Sequence, residues 1–246
     1  GRPVLVASRT ARPHPGWWRR WGALEGASLA WMPSAATVVV ALGPGRGESP
    51  DGAWGAGLSA LLGRISTFRP ARVVVCGPAA GDDPSIAGFE GATCGLPVDI
   101  LRLPPLFGSG DGPVAAASTT LRGGGVVTVG ELPRVRWLCA RDAARVALSM
   151  EAGAGTVAVS GEEALSPGEM TDRLAQRFGG RRRAPLWGTG VGAEQAARLR
   201  AWATLPDLWH EQWGQRTTFA AWVERLPGPR RRHGPSAPDS PLPPTG

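Results

Sequence analysis

The chain has 246 residues and is 42% hydrophobic and 19% charged, which suits one globular domain, or one domain with a small lobe, and excludes wholesale disorder. No run approaches the ~18 apolar residues of a membrane span. The formal charge of +7 comes without an aromatic-interleaved basic ribbon or a zinc module, so neither a membrane nor a nucleic-acid function is expected.

The first strand-like run is Val4–Ala7, ending near Arg9. Residue 1 opens almost directly onto it, so no signal peptide is expected. Trp17-Trp18-Arg19-Arg20-Trp21 follows; a stacking platform and a membrane-surface patch both fit it less well than a cover for an open sheet edge or a partner contact. Thr37–Leu42 is a continuous apolar run of the kind buried in parallel sheets. The glycine-rich stretch Gly43–Ser49 lacks the lysine of a phosphate-binding loop and reads as a plain loop. Asp51 is placed to cap a helix over Trp54–Ile65, where apolar residues recur at helical spacing.

Arg72–Cys76 and Val98–Leu103 are two further buried-type strands. The second is stopped by Pro104-Pro105 and runs into a glycine-rich loop ending at Asp111. A stiff loop at the carboxyl end of a strand is where open α/β sheets take ligands, although such a loop also closes a strand without touching anything. Arg141–Glu151 is alanine-rich and amphipathic, and Thr156–Val159 is a further strand. Ser166, Pro167 and Glu169 form a capping-box signature for a helix reaching Phe178, with Gly179-Gly180 as its stop. From Arg181 the pattern turns to tryptophan-rich helices carrying Trp202, Trp209, Trp213 and Trp222. Beyond Pro227 the composition is proline- and arginine-rich without periodicity, which predicts disorder.

Strands alternating with helices predict an α/β fold with a mostly parallel sheet. The expected division is a sheet domain over residues 1–180, a small helical C-terminal lobe over 181–226 and a tail over 227–246. Cys76, Cys94 and Cys139 lack metal-ligand spacing, which points to a reduced, cytoplasmic setting. Cys76 reads more readily as a small buried residue than as a nucleophile, because no histidine is near it in sequence. His14, His210 and His233 are isolated, and His210 is expected on a helix surface.

Four segments, in this order and spacing, resemble the extended short-chain dehydrogenase/reductase family, the NAD(P)-dependent epimerases and dehydratases. "TVVVALG" (Thr37–Gly43) resembles the strand whose end, here Leu42-Gly43, passes under the cofactor. "ARVVVCGPAAG" (Ala71–Gly81) resembles the next strand and its serine-bearing turn, with Gly77 or Cys76 at the serine position. "LPVDILRLPPLFGSGD" (Leu96–Asp111) resembles the strand and loop that meet the nicotinamide, which assigns Pro104, Pro105 and Leu106 to that end of the cofactor. Val135–Gly179 resembles the late strand, acid-bearing helix, strand and final helix, with Asp142 at the second acid of the family's Asp-Asp pair. The resemblance implies a Rossmann-like fold and NADP or NAD as cofactor, with Arg9 a candidate for the 2′-phosphate of NADP.

The departures are as informative. Residue 1 falls at the family's second strand, so the first βα unit, whose amides hold the pyrophosphate, is expected to be missing. All 27 basic residues are arginine, and the chain has neither lysine nor tyrosine, so the family's tyrosine–lysine pair is absent. Ser85, Glu90 and Cys94 lie where that pair would stand, and none supplies a phenol beside a cation. No catalytic residue is therefore assigned, and no metal ligand. The leading expectation is a relative that binds a dinucleotide weakly or not at all, or serves as a regulatory module. The alternatives are an active NADP-dependent oxidoreductase or sugar-nucleotide epimerase with non-standard residues, and a cofactor-free scaffold. A nucleotide sugar or other small molecule is the expected ligand class, and a homodimer or partner chain the expected cover for the sheet edge.

Overall fold

The computed structural model describes residues 37–41, 62–63, 65–67, 69–78, 95–108, 113–129, 132–183, 202–203 and 206–228. Outside these lie the expected strand at Val4–Ala7, Arg9, the Trp17–Trp21 cluster, Leu42-Gly43, the loop to Ser49, Ser85 to Cys94, Asp111 and the tail beyond Gly228.

The chain divides into two compact units. One comprises residues 1–103, 144–159 and 206–213; the other comprises 104–143, 160–205 and 214–246.

The first unit is built on strands β1 (Thr37–Ala41), β2 (Arg72–Pro78), β3 (Val98–Leu103) and β8 (Thr156–Ala158), in the spatial order β1-β2-β3-β8. All three pairings are parallel, as the unbroken apolar runs predict. Val73, Val74 and Val75 of β2 are all buried, so both faces of that strand are covered. Leu62 and Ile65 lie in described helical residues of the segment expected to be a helix, and pack with Val40, Val73 and Val75. β1 ends the described ladder, and its Val39 is 39% exposed.

A buried charge pair holds the amino ends of β2 and β3. Arg72 Nε donates to Asp99 Oδ2 at 2.7 Å, and the side chains are only 9% and 1% exposed. The guanidinium also donates to the carbonyls of Met150 and, at 2.9 Å, Glu151. Both lie just past the carboxyl end of helix α2 (Ala140–Ser149), where a cation opposes the negative end of the helix dipole. Asp99 in turn accepts from the amides of Gly155 at 3.0 Å and Gly153 at 3.4 Å. Both glycines sit at positive φ, which lets the turn direct its N–H groups at one carboxylate.

The second unit contains β4 (Leu106–Phe107), α1 (Pro113–Arg122), β5 (Val126–Thr128), β6 (Val135–Arg136), β7 (Leu138–Cys139), β9 (Ala164–Leu165), α3 (Pro167–Phe178), β10 (Arg181–Arg183) and α4 (Phe219–Arg225). Its strands pair as β4–β7 and β5–β10, both parallel, and β6–β9, antiparallel. One core joins them, with Phe107, Leu121, Trp137, Leu174, Phe178 and Phe219 among its buried members. Helix α3 starts and stops as its sequence predicts. Ser166 Oγ accepts from Glu169 N–H at 3.1 Å, Ser166 N–H donates to Glu169 Oε2 at 2.8 Å, and Gly179 closes the helix at φ 72. The Ser166 amide, followed by the Arg134 guanidinium, holds the Glu169 carboxyl below its ordinary range. Its contribution to stability is therefore present at neutral pH and lost as pH falls through that lowered value.

Arg181–Arg183, expected to open a helical lobe, is instead a strand on the edge of β5. The reason is the close approach made at Gly180, where a β-carbon would fall 2.6 Å from Leu121 Cδ2. Without that atom the chain passes tight against α1 and reaches β5. His210 also differs from expectation: it precedes the short 3-10 turn Glu211–Trp213 rather than lying on a helix, and its ring meets Trp213 edge-on at 4.9 Å.

Asp99→Asn is expected to destabilise the protein by about 3–5 kcal/mol, because it leaves the Arg72 charge buried without a counter-charge. The paired substitution Arg72→Met with Asp99→Leu is expected to recover most of that loss. Urea unfolding of the three chains measures both effects.

Candidate functional site

The parallel registers set Ala41 beside Cys76, Cys76 beside Leu101, Gly77 beside Arg102 and Pro78 beside Leu103. The carboxyl ends of β1, β2 and β3 therefore lie side by side, the edge at which open parallel sheets take ligands. Of the residues expected there, Cys76 and Gly77 occupy that edge on β2. Leu42 and Gly43 continue the chain beyond the last described residue of β1, and Arg9 lies outside the described residues.

Cys76 is free and buried, 8% exposed. Burial disfavours its thiolate and raises its pKa from 9.0 to about 11. At neutral pH it is a neutral, weakly polar group. Gly77, next along the strand, brings no side chain to the edge.

Pro104, Pro105 and Leu106 continue directly from β3 and belong to the second unit. Pro104 is buried, and the Pro105 carbonyl accepts from Leu138 N–H at 3.1 Å. Beyond them Leu106 and Phe107 form β4 against Leu138 and Cys139 of β7. The diproline thus ends one sheet and opens a second short ladder, a continuation that a two-residue strand leaves illegible in sequence. Gly108 follows at φ 153, a conformation open essentially to glycine, where a β-carbon would come 3.2 Å from Ala140 Cβ.

Asp142, in the first turn of α2, is 1% exposed. Its carboxylate accepts from Thr217 N–H at 2.6 Å and from Thr217 Oγ1–H at 3.3 Å. Thr217 opens TTFAAWVERL (Thr217–Leu226), which also resembles the end of the family's chain, but no local pattern in sequence links it to Asp142, 75 positions away. Among the described residues no group of three or more His, Cys, Asp or Glu is placed to hold a metal ion, and no helix is long and apolar enough to cross a membrane.

No family model matches the chain, and no curated protein matches it in sequence. Solved structures do match it in fold. The Bordetella bronchiseptica enzyme WbmG in complex with NAD and UDP is 18% identical with a TM-score of 0.60, over 91% of this chain and 84% of that one. A human epimerase family protein with NADPH is 16% identical with a TM-score of 0.57, over 92% of each chain. UDP-N-acetylglucosamine 4-epimerase from Bacillus cereus is 16% identical with a TM-score of 0.56, over 89% of this chain and 87% of that one. The protein is thus an α/β protein with a Rossmann-like, mostly parallel sheet. More particularly, it shares its fold with these three solved structures.

With its pKa raised from 9.0 to about 11, Cys76 carries about 100-fold less thiolate near neutral pH than an unperturbed thiol. Alkylation of Cys76 at pH 8, followed by peptide mass spectrometry, is expected to be at least that much slower in the native protein than in the unfolded chain. Because the folded value is the higher one, the associated stability is complete below pH 9.0 and is lost as pH rises through about 11. Cys76→Ala is expected to remove that alkaline component of the unfolding profile.

Proposed function

We propose that this chain is a relative of the NAD(P)-dependent epimerases and dehydratases, of the extended short-chain dehydrogenase/reductase family, that retains dinucleotide-type binding surfaces and lacks the family's acid/base chemistry. The observation that carries this reading is the combination of an epimerase fold with a chain holding neither tyrosine nor lysine. The presence of NAD in one similar structure and NADPH in another supports a nicotinamide dinucleotide as the ligand class. The UDP in the former supports a nucleotide sugar as the second ligand.

The residues present fit binding better than proton transfer. In the family the phenol gives and takes the proton while the lysine lowers its pKa and holds the ribose. Here the serine position offers a neutral thiol at Cys76 or no side chain at Gly77. On this reading the adenosine end lies over Leu42-Gly43 with Arg9 at the 2′-phosphate, and the nicotinamide end meets Pro104, Pro105 and Leu106. A bound dinucleotide would supply hydride chemistry; the chain's own groups supply apolar and backbone contact around it. We read the setting as cytoplasmic, since Cys76 and Cys139 are free thiols.

The ribose clamp lost with the lysine and tyrosine is worth roughly 1.5–3 kcal/mol for each hydrogen bond to a charged group. NADPH affinity is therefore expected to be about millimolar or weaker. Any binding should weaken further in Arg9→Ala and be reduced for NADH. Calorimetry on both chains with both cofactors measures this, and micromolar binding indifferent to Arg9 would overturn the assignment.

Single-turnover hydride transfer from NADPH, over nucleotide sugars and small ketones, is expected to be negligible, because positioned acid/base catalysis worth about 10²–10⁴-fold is absent. Robust turnover surviving Cys76→Ala and Ser85→Ala would favour the alternative of an active enzyme with its site elsewhere.

A further inference from the structure

We propose that Asp142 is a positioning residue for the Pro104–Gly108 segment, acting through Thr217 and the aromatic face of α4; the link to cofactor binding rests on the functional reading above. The chain of contacts lies within the second unit. Asp142 grips both the amide and the hydroxyl of Thr217, as described, and so fixes the residue two places before α4. Thr218 then caps that helix, its Oγ1 accepting from Ala221 N–H at 3.2 Å. With its start held at two successive residues, α4 has little freedom to slide or rotate.

What α4 presents is an aromatic pair that closes on a single residue of β4. Phe219 meets Phe107 edge-to-face, with centroids 5.3 Å apart at 89°. Trp222 meets the same Phe107 ring at 5.6 Å and stands 5.5 Å from Phe219. Phe107 and Phe219 are each 2% exposed, so this is a packed contact and not a surface one. Phe107 is three residues from Pro104 and directly precedes Gly108, whose backbone, having no β-carbon, fits against Ala140 at the start of α2. Asp142 sits in that same first turn of α2. One turn of helix thus braces the segment twice: directly at Gly108, and through Thr217, α4 and Phe107. A carboxylate suits this task because it accepts from two donors on one residue, which a neutral amide cannot do without turning an N–H against one of them.

The test is amide hydrogen exchange on the full chain and on Asp142→Asn, Thr217→Val and Thr217→Ser. Asp142→Asn is expected to speed exchange at Leu106, Phe107 and Gly108 by about tenfold or more, while the amides of Val74 and Leu101 keep their rates. Thr217→Val, which keeps the backbone donor and the side-chain shape, is expected to give a smaller change in the same direction. It decides the matter if Asp142→Asn does not fold. Thr217→Ser, which restores the hydroxyl, is expected to exchange at the original rate. Faster exchange confined to residues 219–225 would overturn the proposal, and so would equal acceleration at Val74 and Leu101, the signature of a merely structural role. In parallel, NADPH binding is expected to be weaker in Asp142→Asn than in the unchanged chain. Micromolar binding indifferent to Arg9 would sink the functional reading while leaving the exchange result to judge the positioning role.

Discussion

The Arg72–Asp99 pair occupies the amino ends of β2 and β3, and much of the first unit is arranged to make it tolerable. Two charges taken out of water are costly, and mutual attraction offsets that cost only when their remaining donors and acceptors are also met. Here the guanidinium is met by two backbone carbonyls just past α2, and the carboxylate by two glycine amides before β8. The pair therefore ties together the ends of two strands, a helix and a turn. None of these groups stands at the carboxyl ends of the strands, where a ligand would be met. There β2 offers a neutral thiol and a glycine, with Arg102 of β3 beside the glycine. The buried ion pair thus serves the architecture at the amino ends of the strands.

That distribution bears on what the chain is suited to do. Proton transfer at neutral pH needs a group whose pKa lies near 7 and which faces the reacting atom. Burial drives Cys76 the wrong way for that role. Asp142, although an acid in an interior position, is engaged with the Thr217 backbone and hydroxyl. Among the described residues, Cys76 is thus a neutral packed group and Asp142 a carboxylate that holds backbone and hydroxyl donors.

The central strands were legible because each is a run of apolar residues long enough to be covered on both faces, and β2 with Val73, Val74 and Val75 is the clearest case. Helix α3 was legible from its ends, since Ser166, Pro167, Glu169 and Gly179 each carry a local physical meaning. Helix α1 was not, although Val114, Ser118 and Leu121 are buried at helical intervals: alanine, serine and threonine at the remaining positions blur the contrast on which periodicity depends. Strands of two residues, such as β4 and β7, are too short for any alternation to register. The long-range polar contacts were invisible for a further reason. Arg72 and Asp99 are 27 residues apart, and each alone looks like an ordinary charge at a strand's edge.

The division into two units has a consequence for how the polypeptide is made. The chain passes from one unit to the other between residues 103 and 104, 143 and 144, 159 and 160, 205 and 206, and 213 and 214. Neither unit is a contiguous piece of sequence. On a ribosome, β1, β2 and β3 emerge well before β8, so the parallel ladder waits for its fourth strand while residues 104–143 of the other unit are synthesised. The second unit waits longer, because Thr217 and α4 follow every other element described in it. Neither unit can therefore be excised as an independent gene fragment without cutting through the other.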